Sequence, residues 1–371
     1  MKMDGYRILD LSLYLPGPML TQTLADHGAD VIKIEPPSGE PVRKVGYVEG
    51  GETTWFRNTH RGKRSIVLDL KSLEDRDIFL NLCKTADVVV EAFRPGVVDR
   101  LGIGPETVTT VNPRIVYCSI AAFGQTGPEA SRPAHDLSIE ALAGVVSLNL
   151  GNDGHPVNPH MPVADVTGSM TALAAILMAL LRREKTGKGD IIDISMQDST
   201  MAWLPNVVGP VFAEDRAPII SNERSFGGYA FFSIYKTADA RHVTLGGVEP
   251  KFARNLLTDF GRPDLLKTAI SPPGSTQDPL KAFLRETFER HTLKYWVKWF
   301  KNRDICFAPV LNLHEAWNSP QISAREMLLT DTQGNHHIGT PIKYRAEPGR
   351  PNLSLPGFDE SGNQIRAEVK W

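Results

Sequence analysis

The apolar positions in the first half of the chain form short β-branched runs that alternate with amphipathic stretches. The strand-like runs lie at 6–12, 29–34, 65–70, 86–90, 114–120 and 190–195, and helical patterns occupy 19–28 and 73–84. Short apolar runs separated by helical segments are typical of parallel strands joined by crossover helices. The pattern therefore predicts a doubly wound α/β fold with a mostly parallel sheet.

The longest helical pattern begins near Thr167 and ends near Glu184, followed by Gly187 as a helix stop. Apolar residues at helical spacing predict its core face, formed by Leu173, Ile176, Leu177, Leu180 and Leu181. Asp165 lies just ahead of this helix. A carboxylate there is either an N-cap or first-turn acid that stabilises the helix, or a nucleophile or base held in a buried site by backbone N–H groups. The local sequence leaves both interpretations open.

The loop after the first predicted strand contains Pro16-Gly17-Pro18, which predicts a turn before the helix at 19–28. This loop lies at the carboxyl end of a strand, where doubly wound folds bind ligands. The sequence contains neither a GxGxxG nor a P-loop motif, so the fingerprints of dinucleotide and nucleoside triphosphate binding are missing.

The pattern changes beyond residue 205. Residues 206–225 are rich in helix and strand breakers and predict a linker. Two strands at 230–235 and 243–245 precede helices at 250–260, 278–290 and 293–302, which indicates a smaller α+β domain over 226–318. Residues 319–371 contain loops, short strands and a tail rich in proline and glycine.

Composition excludes several classes of protein. The chain has 371 residues, 41% of them hydrophobic, and a net charge of −2, so it has no broad cationic surface for nucleic acid. No long apolar run follows the N-terminus, and the most apolar segment, 170–181, is too short to span a membrane. The three cysteines lack metal-ligand spacing, which predicts no metal and a reducing, cytoplasmic location.

Eight segments, in order over about 5–325, resemble the family III CoA-transferases, also called the CaiB/BaiF family. That family includes formyl-CoA and carnitine-CoA transferases, with α-methylacyl-CoA racemases as close relatives. The matching segments are LDLSLYLPGP, LADHGADVIKIEPP, NTHRGKRSIVLDLK, ADVVVEAFRPGVVDRLG, NPRIVYCSIAAFGQTGP, PVADVTGSM, KTGKGDIIDISMQDS and LGGVEPKF.

The resemblance implies a large Rossmann-like domain with a parallel sheet, built from both ends of the chain, and a smaller α+β domain. The large domain would comprise 1–205 and, after a linker, the C-terminal return within 319–371. The resemblance also implies a homodimer in which the two subunits interlock like the rings of a chain.

The resemblance implies that Asp165 is the nucleophile of an acyl-CoA:carboxylate CoA-transferase. Its carboxylate would attack the thioester of an acyl-CoA, form an aspartyl-acyl anhydride, and pass CoA to an acceptor carboxylic acid. Four residues resemble coenzyme A contacts of the family, namely Lys71, Phe93, Arg100 and Arg132. The alternative for the three cations is a solvated surface position, and for the phenylalanine a place in the core.

Two other functions stay open. In the racemases a histidine matching His135 and the aspartate matching Asp165 act as an acid/base pair, and a glutamate matching Glu249 supports the histidine. In the racemases the segment that begins with this aspartate reads DFGGG. Here the segment that begins with Asp165 reads DVTGSM, which is closer to the transferases. The third possibility is a non-catalytic CoA-binding protein.

The chain departs from formyl-CoA transferase at two positions and in one loop. Leu15 replaces a glutamine and Pro36 replaces an arginine, and only Gly227-Gly228 lies near the position of a run of four glycines. These differences argue against specificity for formyl and oxalyl groups.

Overall fold

The structure is a computed structural model that describes residues 1–151 and 153–369. The chain forms two compact units. The first comprises Met1–Trp203 together with the segment from Pro320 onward, and the second comprises Leu204–Ser319.

The described residues form the following elements. The strands are β1 (Arg7–Asp10), β2 (Asp30–Glu35), β3 (Val48–Glu49), β4 (Glu52–Thr53), β5 (Arg64–Val67), β6 (Val88–Glu91), β7 (Val116–Ala121), β8 (Asp190–Ser195), β9 (Phe232–Lys236), β10 (His242–Gly246), β11 (Phe307–Pro309), β12 (Leu328–Thr330) and β13 (His336–Ile338). The α-helices are α1 (Pro16–Asp26), α2 (Thr54–His60), α3 (Leu73–Cys83), α4 (Val97–Arg100), α5 (Pro105–Val111), α6 (Asp136–Leu142), α7 (Val163–Thr186), α8 (Met196–Ala202), α9 (Gly209–Glu214), α10 (Pro250–Asp259), α11 (Leu266–Ala269), α12 (Asp278–Phe288), α13 (Leu293–Phe300), α14 (Leu313–Trp317), α15 (Pro320–Ala324) and α16 (Gly362–Glu368). Short 3-10 turns lie at Pro41–Arg43, Val146–Leu148, Ile220–Asn222, Arg224–Phe226, Pro263–Leu265 and Ser275–Gln277.

A six-stranded sheet in the order β5-β2-β1-β6-β7-β8 forms the centre of the first unit. Each adjacent pair is parallel, which confirms the predicted parallel α/β fold. The central strands are buried on both faces. One apolar cluster joins Val88 and Val90 to α1 and α7, and a second joins Val89 to α3 and to Ile365 of α16. Helices therefore cover both faces of the sheet, as a parallel sheet requires.

The helix after β1 begins earlier than the sequence indicated. Pro16-Gly17-Pro18 forms the first turn of α1 instead of a separate turn. Proline suits the first helical position because its missing N–H has no partner in the helix there. A side chain at Gly17 would collide with the Ser12 hydroxyl, so glycine allows α1 to start directly against the loop that follows β1.

The predicted start of the long helix is wrong. Helix α7 begins at Val163, so Asp165 lies inside its first turn and not ahead of it. The cause is tertiary, because side chains of α6 accept hydrogen bonds from the first N–H groups of α7. The predicted core face is also too wide. Leu177 and Leu181 are 37% and 70% exposed, whereas the other three predicted positions are buried.

At 24 residues, α7 is long and apolar enough to cross a membrane by length and composition. The expectation that this apolar segment is too short to span a membrane is therefore wrong. Half of its most apolar window is buried inside the protein. The core helix of a soluble protein satisfies the same two criteria.

The second unit contains an antiparallel sheet in the order β11-β10-β9. Helices α10, α12 and α13 pack on it around an aromatic core. In that core Phe288 stacks on Tyr235 with ring centroids 5.2 Å apart and meets Trp296 edge-on at 5.0 Å.

Candidate active site

A cleft opens where the order of the parallel sheet reverses. The chain passes from β1 to β2 on one side and later to β6 on the other, so the carboxyl ends of β1 and β6 diverge. Doubly wound folds bind ligands in this crevice. In this protein the crevice is a cleft of about 240 Å³. Its lining includes residues at or just after the ends of β1, β6 and β7 and the first turn of α7. The lining includes both His135 and Asp165.

Asp165 is the third residue of α7 and lines this cleft. No other group in residues 1–151 or 153–369 donates a hydrogen bond to the carboxylate. Burial, together with the nearby negative charges of Asp136 and Glu140, raises the pKa of Asp165 to about 7. A carboxyl group with this pKa changes its charge near neutral pH, which is typical of reactive groups.

Two acids of α6 accept hydrogen bonds from the start of α7, and the sequence had not indicated this role for either of them. The Val163 N–H donates to Glu140 Oε1 at 2.9 Å, and the Asp165 N–H donates to Asp136 Oδ1 at 3.0 Å. These bonds satisfy helical N–H groups that lack partners within the helix. The Asp165 side chain is therefore not needed as a cap. The available signal was the spacing of Asp136 and Glu140, four residues apart on one helical face.

Glu140 is itself an unusual acid, because its side chain is 1% exposed and its second oxygen, Oε2, has no hydrogen-bond partner. Burial is the main cause that raises the pKa of Glu140 to about 7, and a hydrogen bond with Asp136 and the charge of Asp136 contribute to the same shift. Three carboxyl groups thus crowd the start of α7. The positive end of the helix dipole partly offsets their repulsion.

His135 is the N-cap residue of α6, and its side chain is exposed. Its imidazole contacts the Tyr14 ring edge-on, with centroids 6.0 Å apart. Within the described part of the first unit, no carboxylate forms an ion pair with this imidazole. Glu249 belongs to the second unit, where it is exposed and precedes α10. The structure therefore leaves the suggested support of His135 by Glu249 as a prediction.

The four predicted coenzyme A contacts have different positions. A second, mainly apolar cleft of about 270 Å³ lies along the carboxyl ends of β1, β2, β5 and β6, and Phe93 and Lys71 line it. Phe93 lines the first cleft as well, together with Arg132. Arg132 is exposed and pairs with Glu129 at 3.0 Å. Arg100 is exposed at the end of α4 and lines neither cleft.

Phe93 and Leu13 connect the two clefts, since both residues line both. The Phe93 N–H donates to the buried Glu91 carboxylate at 2.7 Å, which fixes the loop after β6. Arg94 also lines the first cleft. Among the described residues, no group of three or more His, Cys, Asp or Glu side chains is arranged to hold a metal ion.

The parallel sheet and its carboxylate-bearing cleft define an α/β ligand-binding protein with a candidate reactive acid at the point where strand order reverses. The chain belongs to CoA-transferase family III, whose model matches residues 3–361. The predicted family membership and enzyme class are thereby confirmed.

Relatives with two kinds of activity resemble the chain. It is 36% identical to acetyl-CoA:oxalate CoA-transferase of Acetobacter aceti over 378 residues, covering 98% of this chain and 95% of the relative. It is 33% identical to α-methylacyl-CoA racemase of Homo sapiens over 344 residues, covering 90% of this chain and 84% of the racemase. The crystal structure of a CaiB/BaiF family protein from Brucella suis superimposes with a TM-score of 0.86 at 29% identity, covering 99% of both chains.

Proposed function

We propose that the protein is an acyl-CoA:carboxylate CoA-transferase in which Asp165 is the nucleophile. The observation that carries the proposal is the Asp165 carboxylate, which lines the cleft, receives no hydrogen bond from another group among the described residues, and has a pKa raised to about 7. A carboxylate that is poorly solvated and held by few donors is more nucleophilic than one in water. A relative named as a CoA-transferase covers nearly the whole chain and supports this choice.

The proposed reaction begins when an Asp165 oxygen attacks the thioester carbonyl carbon of the donor. The carbon–sulfur bond breaks, CoA leaves as a thiolate, and the acyl group and Asp165 form a mixed anhydride. The thiolate stays bound and attacks the aspartyl carbonyl, which releases the donor acid and leaves an aspartyl–CoA thioester. The acceptor carboxylate then repeats the exchange in reverse, so that Asp165 is regenerated and the acceptor carries CoA. No proton or external oxidant is consumed.

We propose that coenzyme A occupies both clefts, with its purine in the second and its thioester in the first. The apolar lining of the second cleft suits an adenine ring, and Phe93 offers an aromatic face beside it. Lys71 lies at this cleft and Arg132 at the other, so both are placed to neutralise phosphates. Arg100 is the weakest of the predicted contacts because it lines neither cleft.

We also propose that the functional form is the interlocked homodimer implied by the family resemblance, with the two units serving as its large and small domains. Leu177, Met178 and Leu181 form an apolar stripe on α7 and are 37%, 63% and 70% exposed in the single chain. Apolar side chains clustered on one helix face are typical of a surface covered by another chain. A second copy of the chain is the proposed cover.

Racemisation is the second candidate, because His135 and Asp165 line the same cleft. A carboxyl group with a pKa near 7 also suits removal of a proton beside a thioester. A racemase, however, needs a second tuned group. His135 is exposed and has no carboxylate partner within the described part of its unit, so nothing there sets its tautomer. The transferase mechanism needs Asp165 alone as its reactive group.

The test is to incubate the protein with acyl-CoA donors and free acids in D₂O and to follow products by mass spectrometry. Transferase activity predicts CoA exchange and a hydroxylamine-trapped product on the peptide containing Asp165. Asp165→Asn should lose both, because the amide keeps the shape but lacks the nucleophilic oxygen. Asp198→Asn is a matched control, since Asp198 is also the third residue of a helix but is exposed and outside the cleft.

The other functions give different results in the same experiment. Rapid deuterium entry at the α-carbon of a 2-methylacyl-CoA, with no trapped product, would establish the racemase instead. Tight binding of CoA esters with neither exchange nor deuterium uptake would indicate a non-catalytic CoA-binding protein.

A further inference from the structure

Tyr14 has a left-handed backbone, with φ at 63°, in the wall of the Asp165 cleft. Residues other than glycine rarely adopt this backbone conformation, and they keep it only where the surrounding structure imposes it. The Tyr14 ring meets the His135 imidazole at an interplanar angle of 85°. An unfavourable backbone conformation therefore places an aromatic ring beside a candidate acid/base group.

A buried carboxylate accepts a hydrogen bond from the backbone of Tyr14. Glu40 is 1% exposed, and its Oε1 accepts hydrogen bonds from the N–H groups of Tyr14 at 3.1 Å and Val42 at 3.4 Å. Tyr14 follows β1 and Glu40 follows β2, so one side chain ties together two loops at the carboxyl edge of the sheet. Charged acceptors form stronger hydrogen bonds than neutral ones.

Lys33 fixes the Glu40 carboxylate in turn. Its ammonium forms an ion pair with Glu40 Oε2 at 2.9 Å and donates a hydrogen bond to the Ser12 carbonyl, in the same loop as Tyr14. Asp10 lies 3.9 Å from Lys33 and 3.0 Å from Lys63, and all four charged side chains are fully buried. Two acids and two lysines thus form a balanced cluster beneath the loop. None of the four lines either cleft, so the cluster acts on the site through the backbone.

We propose that Glu40 is a positioning residue and Tyr14 a specificity-determining residue of the acyl site. The Lys33–Glu40 pair stabilises the left-handed backbone conformation of Tyr14, and this conformation places the Tyr14 ring beside His135. The ring then limits the width of the cleft that receives the acyl group. The identity of the ligand rests on the proposed function, whereas the role of Glu40 in holding Tyr14 does not.

Two double variants test the role of Glu40 without leaving a charge unpaired. Lys33→Met/Glu40→Gln removes both charges but keeps a carbonyl acceptor for the Tyr14 N–H. Lys33→Met/Glu40→Leu removes the charges and the acceptor. Crystal structures should show Tyr14 at positive φ in the first variant and at negative φ in the second. Loss of the acceptor should lower kcat/KM for a short acyl-CoA about tenfold relative to the first variant.

The width of the cleft is tested with acetyl-, butyryl- and octanoyl-CoA. Tyr14→Ala should raise the ratio of kcat/KM for octanoyl-CoA to that for acetyl-CoA about tenfold, whereas Tyr14→Phe should keep the wild-type ratio because it keeps the ring. An unchanged ratio in Tyr14→Ala would overturn the specificity role. Calorimetric affinities for the same esters supply this comparison independently of turnover.

A further pair of variants measures the strain itself if the leucine variant fails to fold. Tyr14→Gly should melt at a higher temperature than Tyr14→Ala, since both lack the ring but glycine adopts positive φ without the steric cost of a Cβ atom. Equal melting temperatures, or an unmoved Tyr14 in the leucine variant, would overturn the role of Glu40. Failure of the proposed function would show differently, as a wild-type protein that neither binds CoA esters nor forms a product on Asp165.

Discussion

Asp165→Asn should abolish CoA transfer and yet stabilise the folded protein, by an amount that increases with pH. The carboxyl has a pKa of 3.8 as an ordinary group and about 7 in the fold, chiefly because of burial and then because of Asp136 and Glu140. Below the lower pKa both states bind the proton and the group has no effect. As pH rises, the unfolded chain ionises first, so ionisation favours unfolding until the folded group also titrates.

The magnitude follows from the two pKa values. Each pKa unit corresponds to about 1.4 kcal/mol, so wild-type Asp165 lowers the free energy of unfolding by about 4 kcal/mol at pH 8 and by less than about 1 kcal/mol at pH 4. Contact of the carboxyl with solvent in the cleft makes these figures upper limits. An asparagine cannot ionise and should recover most of this difference.

The assay is urea unfolding of wild type and Asp165→Asn at pH 4 and pH 8. Hydrogen exchange of the peptide that begins α7 locates the effect. Asp198→Asn is the control, because an exposed first-turn acid stabilises its helix by about 0.3–1 kcal/mol and its loss should destabilise slightly at pH 8. An Asp165→Asn variant that is no more stable than wild type at pH 8, or equally stabilised at both pH values, would refute the reasoning.

Three further predictions concern pH, CoA and assembly. The wild-type kcat/KM should rise tenfold per pH unit below about 7 and level off above it, and Glu140→Gln should move that midpoint to lower pH by removing one negative neighbour of Asp165; an unchanged midpoint would contradict this. Lys71→Ala should weaken CoA binding in calorimetry about tenfold, and Arg100→Ala should weaken it less, because Lys71 lines a cleft and Arg100 does not; equal losses would remove the distinction. Light scattering should find a dimer for the wild type and a smaller species for Leu181→Asp, and a wild-type monomer would exclude the interlocked assembly.

The parallel sheet could be predicted because its central strands are short, β-branched and buried on both faces. The more exposed edge strand β8 also matches its predicted range of 190–195. The start of α1 was predicted less accurately than the sheet, because the sequence Pro16-Gly17-Pro18 is compatible with both a separate turn and the first turn of a helix. Packing of Gly17 against Ser12 decides between them, and that contact is absent from any local pattern.

The candidate site could be predicted in part. Asp165 stood out through its context and the family resemblance, but its environment depends on Asp136 and Glu140, which lie 29 and 25 residues earlier in the chain. The left-handed conformation of Tyr14 depends on Glu40, 26 residues later, and tyrosine is not a residue type that signals such a backbone. These features arise from contacts between loops, which hydrophobic periodicity does not report.

The exposed stripe on α7 shows a different limit. Helical spacing predicted Leu177 and Leu181 as part of the core face of α7, but both are exposed in the single chain. Spacing alone does not distinguish an apolar face that packs inside its own chain from one that faces outward. Both arrangements need the same residues at the same intervals.

At the start of α7, the acids that accept the N–H hydrogen bonds differ from the acid that is the candidate reactive group. An acid in the first turn of a helix usually stabilises it by accepting N–H bonds or by interacting with the dipole. Here Asp136 and Glu140, which lie on α6, accept the hydrogen bonds from the N–H groups of α7. Their charges raise the pKa of Asp165, whereas the usual interactions of a first-turn acid lower it. Within residues 1–151 and 153–369 no group donates a hydrogen bond to the Asp165 carboxylate, so nothing there offsets its raised pKa, and its ionisation near neutral pH lowers the stability of the fold. An acid with only a capping role would show the opposite effects, so the sign of the stability change in Asp165→Asn separates a reactive carboxylate from a structural one before any substrate is known.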